Sequence, residues 1–174
     1  TAPDERLVRA AVLGAVALGD TSFVRAAQAY LRNADAASSR EVLEALARND
    51  DPEATLSLKI AMKDARPTVR HLAIDLYGAR ADAEARGLIN AMRLEDQMAR
   101  RKLANILVAR FPEEWSQDLR LQLRAPERRD LVLALLRDVI DRERDRKILS
   151  MISEQLVKIA RQGEGDEGDE QAAA

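Results

Sequence analysis

The 174-residue chain contains no cysteine, which excludes disulfide bonds and thiolate metal sites. It has one histidine, His71. A zinc or di-iron centre needs several converging nitrogen, oxygen or sulfur ligands, so we expect no metal. Aromatic residues make up only 3% of the sequence, which argues against platforms for base stacking. No apolar run approaches the roughly 20 residues that span a bilayer, so we expect no membrane insertion.

Catalytic motifs are also missing. The 7 glycines are scattered rather than gathered in a phosphate-binding loop, and no serine lies in a Gly-x-Ser-x-Gly setting. Two pairs of acidic residues, Asp50-Asp51 and Glu113-Glu114, open predicted helices, where carboxylates interact favourably with the helix dipole. We therefore predict no catalytic residue, no cofactor and no enzymatic activity.

The sequence does contain a repeat of 30 or 31 residues, anchored at Arg9, Arg40, Arg70 and Arg101. Apolar residues recur in four columns at fixed distances after each anchor. The columns are Ala11, Val42, Leu72 and Leu103; Ala15, Leu46, Leu76 and Leu107; Ala27, Leu58, Leu88 and Leu119; and Leu31, Met62, Met92 and Leu123. A period in this range is typical of stacked helical units that bury a continuous core only by packing on one another.

Each unit is predicted to form two helices, separated by breakers such as Pro52, Pro67 and Pro112. The predicted second to fourth pairs cover 38–49 and 53–64, 67–80 and 83–94, and 96–111 and 113–124. The fold class is therefore all-α, as a right-handed solenoid of about five helix pairs. Its units are 4–34, 35–64, 65–95, 96–125 and 126–162. An acidic tail, 163–174, is expected to be disordered.

The segments Leu7-Val8-Arg9-Ala10-Ala11 and Thr68-Val69-Arg70-His71-Leu72-Ala73 give the chain its resemblance to a known family. It resembles HEAT repeats of the short type, about 30 residues long, found in phycobilisome-lyase-like proteins. The resemblance implies a ladder that joins neighbouring units, made by the anchor arginines and the acids Asp4, Asp35, Asp64 and Glu95. Hydroxylases of this family use repeated His-Glu pairs. His71 is followed by Leu72, so that activity is not expected here.

One basic column is the main candidate for a binding surface. Arg32, Lys63, Arg93 and Arg124 each lie 23 residues after an anchor, and further basic or amide residues surround them on the second helices. The candidate partner-binding residues are Arg32, Lys59, Lys63, Arg86, Asn90, Arg93, Arg120 and Arg124. In this architecture the second helices line the concave surface. A simpler interpretation is that these cations only interact with the carboxyl ends of their helices.

Three other features have two interpretations each. His71 and Asp75, four residues apart on one helix, are either a functional His–carboxylate pair or, more simply, two solvated side chains paired on the helix surface. Trp115 is expected to pack at a helix corner rather than to anchor a partner. The apolar face of the last helix, 148–159, either closes the core or docks the rest of a longer protein.

From these features we expect a non-catalytic interaction scaffold that binds a protein partner, with acidic partners favoured by charge. The chain is expected to be a module of a longer cytoplasmic protein. The alternatives are binding to a nucleic-acid backbone through the basic second helices and, less favoured, a lyase or glycosylase activity. The sequence specifies neither the partner, the pathway, the oligomeric state nor the organism.

Overall fold

The computed structural model describes residues 5–18, 21–92 and 96–124, together with residues 137, 150, 153, 154, 157 and 158. Within these residues the chain is all-helical and has no strand. Two compact units are present, Thr1–Leu103 and Ala104–Ala174. The helices are α1 Glu5–Ala17, α2 Thr21–Asn33, α3 Ala36–Ala47, α4 Pro52–Ala61, α5 Pro67–Ala79, α6 Ala85–Ala91, α7 Gln97–Arg110 and α8 Pro112–Arg124.

Short local signals begin these helices where the sequence predicts. The Asp35 carboxylate accepts a hydrogen bond from the Ser38 N–H at 2.7 Å and caps α3. Asp51 caps α4 in the same way through the Glu53 N–H, also at 2.7 Å. Such caps satisfy backbone donors that have no partner inside the helix. A proline occupies the first position of α4, α5 and α8, where its missing N–H costs nothing.

In the first unit, helices pack on their neighbours one and two places along the chain. α1 contacts α2 and α3, α3 contacts α4 and α5, and α2 contacts both α3 and α4. The two apolar columns of the predicted second helices are buried wherever their side chains are described. These buried residues are Ala27, Leu31, Leu58, Met62, Leu88, Met92 and Leu119. The prediction for these columns is confirmed.

The first-helix columns are only partly right. Val42, Leu46, Leu103 and Leu107 are buried, but Ala11 is exposed, and Leu72 and Leu76 are half-buried. In α5 the buried face is shifted by about one residue, which is about 100° around a helix with 3.6 residues per turn. Its members are Val69, Arg70, Ala73, Ile74, Tyr77 and Gly78. The anchor Arg70 thus points inward, which a hydrophobic pattern does not predict.

Two arginines, Arg66 and Arg80, join helices of the first unit to one another. Arg66 Nη1 donates to the Ala34 carbonyl at 2.7 Å, and its Nη2 donates to the Leu31 carbonyl, at the end of α2. Arg80 Nη1 donates to the Ala47 carbonyl at 2.9 Å, at the end of α3. Each arginine therefore donates to carbonyl groups about one repeat earlier in the chain, at the end of a helix, where carbonyls have no intrahelical donor.

The two described acids of the arginine–acid ladder implied by the family resemblance, Asp35 and Asp64, make other contacts. Arg9 Nε donates to Glu41 Oε2 at 2.8 Å, and Arg70 Nε donates to Asp96 Oδ2 at 3.0 Å. Asp35 caps α3, and Asp64 binds Arg66 through paired hydrogen bonds of 2.9 Å. Asp4 and Glu95 lie outside the described residues, as do most of the predicted fifth unit and the whole acidic tail.

Candidate functional site

A groove of about 430 Å³ runs between α2 and α4 in the first unit. These are the second helices of the first two predicted repeats. The residues that line it are Gln28, Leu31, Arg32, Leu56, Ser57, Lys59, Ile60, Ala61, Lys63 and Asp64. Three of the predicted partner-binding residues, Arg32, Lys59 and Lys63, are thus brought together on one surface.

A polar contact between the two helices fixes the groove. Gln28 Nε2 on α2 donates to Ser57 Oγ on α4 at 2.7 Å. Ser57 is buried, and its hydroxyl in turn donates to the Glu53 carbonyl at 2.8 Å. Because donor and acceptor groups at this contact are paired, the small side chain of Ser57 lets α2 and α4 approach without burying an unsatisfied hydroxyl. This contact sets the distance between the side chains of α2 and α4 that line the groove.

Arg32 and Lys63 are exposed, and neither side chain makes a hydrogen bond or ion pair with any described residue. Arg32 lies in the last turn of α2, and Lys63 follows the end of α4. The nearby carbonyl groups already have donors. Arg66 binds the Leu31 carbonyl in the last turn of α2 and the Ala34 carbonyl just after it. At the end of α4 the Leu58, Ile60 and Ala61 carbonyls accept hydrogen bonds from backbone N–H groups of the residues that follow. Capping of these carbonyls therefore does not account for either cation.

Lys59 differs from these two residues because its charge is already matched. Its Nζ donates to Glu84 Oε2 at 2.7 Å and lies 5.6 Å from the centre of the Tyr77 ring. The hydrogen bond with Glu84 raises the pKa of Lys59 despite partial burial, which acts in the opposite direction. Lys59 thus shapes the wall of the groove, whereas Arg32 and Lys63 supply charge without a described partner.

The other predicted residues do not line the groove. Arg86 and Asn90 are exposed on α6, whereas Arg120 is half-buried on α8, in the second unit. Arg93 and the Arg124 side chain lie outside what the structure describes. Arg32 and Lys63 are thus the two members of the basic column that line the groove without a described partner. A binding role for the other predicted residues remains a prediction.

The apolar part of the groove was missed at the sequence level. Leu56 and Ile60 are 46% and 53% exposed, one turn apart on α4. Both lie outside the four apolar columns. A large apolar residue outside the repeated columns is the sequence signal that could have identified them as exposed. Large apolar side chains that the core does not use are candidates for contact with a partner.

Tyr77 is fully buried and joins α5 to the start of α6. Its hydroxyl accepts a hydrogen bond from the Glu84 N–H at 2.9 Å. Gly87 sits against the same ring: a Cβ there would lie 2.8 Å from Tyr77 Oη and 3.3 Å from Lys59 Cε. Gly87 is therefore needed for close packing, and the cluster places Lys59 at the groove wall.

His71 pairs with a different acid from the one predicted. Its Nε2 lies 2.8 Å from Asp96 Oδ2, while Asp75 binds Lys102. The Asp96 carboxylate also accepts from Arg70 and from the Ala99 N–H. Partial burial raises the pKa of Asp96, but hydrogen bonds from Arg70, the Ala99 N–H and His71 outweigh it, so the pKa lies well below its usual value.

Trp115 is 1% exposed, so the prediction of a packing role at the start of α8 is confirmed. A side chain buried to this extent is not available as an interface anchor on this surface. The alternative role as a binding hot spot is therefore not supported.

Comparisons with protein-family models, curated proteins and solved structures found no match to this chain. Among the described residues, no three His, Cys, Asp or Glu side chains come together in a way that could hold a metal ion. The described helices also include none with the length and apolar character needed to cross a bilayer. The candidate functional site is the groove between α2 and α4.

Proposed function

We propose that the protein is a non-catalytic interaction module that binds a protein partner through the groove between α2 and α4. The proposal is based on the exposure and surroundings of the Arg32 and Lys63 side chains. Both cations are exposed at one groove. The carbonyls at the end of α2 are bonded to Arg66, and those at the end of α4 to backbone N–H groups, instead. Their charges are therefore available to an incoming group.

The proposal includes the architecture that presents this groove. The helices continue as a right-handed, HEAT-like α-solenoid of about five pairs, with the second helices on the concave side. Support comes from the 30- or 31-residue repeat and from the contacts of α1 with α3 and of α2 with α4. A surface built from packed helices is largely pre-formed, so a partner binds it at a small cost in ordering entropy.

Photo-crosslinking tests the location of the binding surface. A photoreactive amino acid replaces Ile60 in the groove, and in a control variant it replaces Arg40, which is exposed on α3. After irradiation in a cell extract, we expect a discrete adduct from position 60 and not from position 40. Arg32→Gln with Lys63→Gln should reduce that adduct while the helical content, measured by circular dichroism, is unchanged.

Equal labelling from both positions would show non-specific contact and would contradict the proposal. So would the absence of any adduct from position 60. Crosslinks to nucleic acid rather than protein would favour the alternative of backbone binding, in which exposed cations attract phosphates.

A further inference from the structure

We infer that the α2–α4 groove takes an acidic amphipathic helix, with two apolar side chains one turn apart and carboxylates at one end. This inference rests on the proposed function and adds the chemistry of the partner. It follows from the order in which apolar and cationic groups line the groove.

Leu56 and Ile60 form the exposed apolar part of the groove. They are spaced i and i+4 on α4, so their side chains lie on one face of the helix about 6 Å apart along its axis. Both remain about half exposed, although the neighbouring Leu58 is fully buried. A partner that covers them removes apolar surface from water, which no polar ligand would achieve.

Arg32 and Lys63 form the charged end of the groove. Arg32 lies in the last turn of α2 and Lys63 just after α4, so both follow the apolar residues in the direction of the helices. Asp64 is the one acidic residue in the groove lining, and paired hydrogen bonds to Arg66 already occupy it. Two positive charges are thus left unmatched at this end, which selects carboxylates on the partner.

The shape of the groove indicates a helix as the occupant. A volume of about 430 Å³ holds a few side chains rather than a folded domain. A trough between two packed helices is the usual seat for an amphipathic helix, read through anchors at i and i+4. The complementary sequence therefore carries two leucines four positions apart, with glutamates about one turn away on one side of the pair.

A synthetic peptide tests this inference with the whole 174-residue chain. The peptide has about 18 residues, enough to form a helix on binding. It is made in two versions, with the glutamates before or after the leucines, because the groove admits two directions. Fluorescence anisotropy should detect saturable binding of one version, weakened by added salt.

Matched peptides and variants separate the two contributions. Replacing both leucines with alanine, or making Leu56→Ala with Ile60→Ala, should weaken binding about tenfold or more. Replacing the glutamates with glutamine, or making Arg32→Gln with Lys63→Gln, should weaken it about two- to fivefold per charge and reduce the salt dependence. Arg32→Glu with Lys63→Glu should instead prefer a peptide with lysines in place of the glutamates.

Several outcomes would overturn the inference. One is the absence of binding by either version of the peptide. Another is an affinity that does not change when the peptide leucines are replaced with alanine, nor in the variant with Leu56→Ala and Ile60→Ala. If position 60 still crosslinks to a protein in either case, the proposed function stands and only the partner chemistry is wrong. A DNA duplex that displaces the peptide, and whose affinity depends on Arg32 and Lys63 but not on Ile60, would reassign the groove to phosphates.

Discussion

Gly87→Ala offers a sharp test of the packing that places the groove wall. An added methyl group at position 87 would meet Tyr77 Oη at 2.8 Å and the Tyr77 ring at 3.3 Å. The ring cannot simply move aside, because it is fully buried and its hydroxyl accepts from the Glu84 N–H. The substitution therefore sets a gain in helix propensity against a steric clash.

The clash should dominate. Alanine in place of a helical glycine gains about 0.5–1 kcal/mol. Overpacking of a buried site costs about 1–3 kcal/mol. Displacing the Tyr77 hydroxyl from Glu84 costs about 0.5–1.5 kcal/mol more. We expect Gly87→Ala to lower the free energy of unfolding by about 1–3 kcal/mol, which lowers the melting temperature by roughly 2–12 °C.

Thermal unfolding followed by circular dichroism measures the effect, and the chain offers a matched control. Gly14 lies inside α1 with no atom within 4 Å of an added Cβ, so Gly14→Ala should stabilise by about 0.5–1 kcal/mol. In a Tyr77→Phe background, Gly87→Ala should cost less, since the closest atom is gone. A Gly87→Ala variant as stable as Gly14→Ala would refute the reasoning.

Three further substitutions test the core, the helix ends and the electrostatics. Leu88→Ala should cost about 2–5 kcal/mol in urea unfolding because Leu88 is fully buried, whereas Leu56→Ala at the exposed groove should cost well under half of that. Arg66→Ala should cost about 1.5–3 kcal/mol, since the carbonyls beyond α2 lose charged donors; an unchanged urea midpoint would contradict those bonds. The pKa of Asp96 lies below its ordinary value of 3.8, so its contribution to stability is present above that pH and is lost as the pH falls. Asp96→Asn should therefore be less stable than wild type near about pH 6, with the difference shrinking towards about pH 2 in urea titrations.

The structure also shows why the role of a surface cation is hard to assign from sequence. Arg32 and Lys63 stand where cations interact well with a helix end. The carbonyls at the end of α2 are nevertheless bound by Arg66, which lies more than one repeat after Arg32 in the sequence. Those at the end of α4 are bound by backbone N–H groups rather than by the Lys63 side chain. Which arginine reaches a carbonyl depends on how neighbouring helices pack, so it is decided only in three dimensions.

The sequence by itself determined the features that depend on local spacing. Asp51 and the prolines begin helices because their effect needs only the next few residues. Leu58 and Leu88 were identified as buried because the repeat places the same apolar column in successive units. These signals specify helices and one buried face without information about distant contacts.

Tertiary structure decided the rest. The buried face of α5 is shifted by about one residue from the predicted one and includes Arg70, which bonds to Asp96. His71 contacts the same carboxylate instead of Asp75. The exposure of Ile60 was likewise set by the position of α2 beside α4. Each outcome depends on a group some 25 or more residues away, whose approach is fixed by packing and hydrogen-bond satisfaction rather than by helical periodicity.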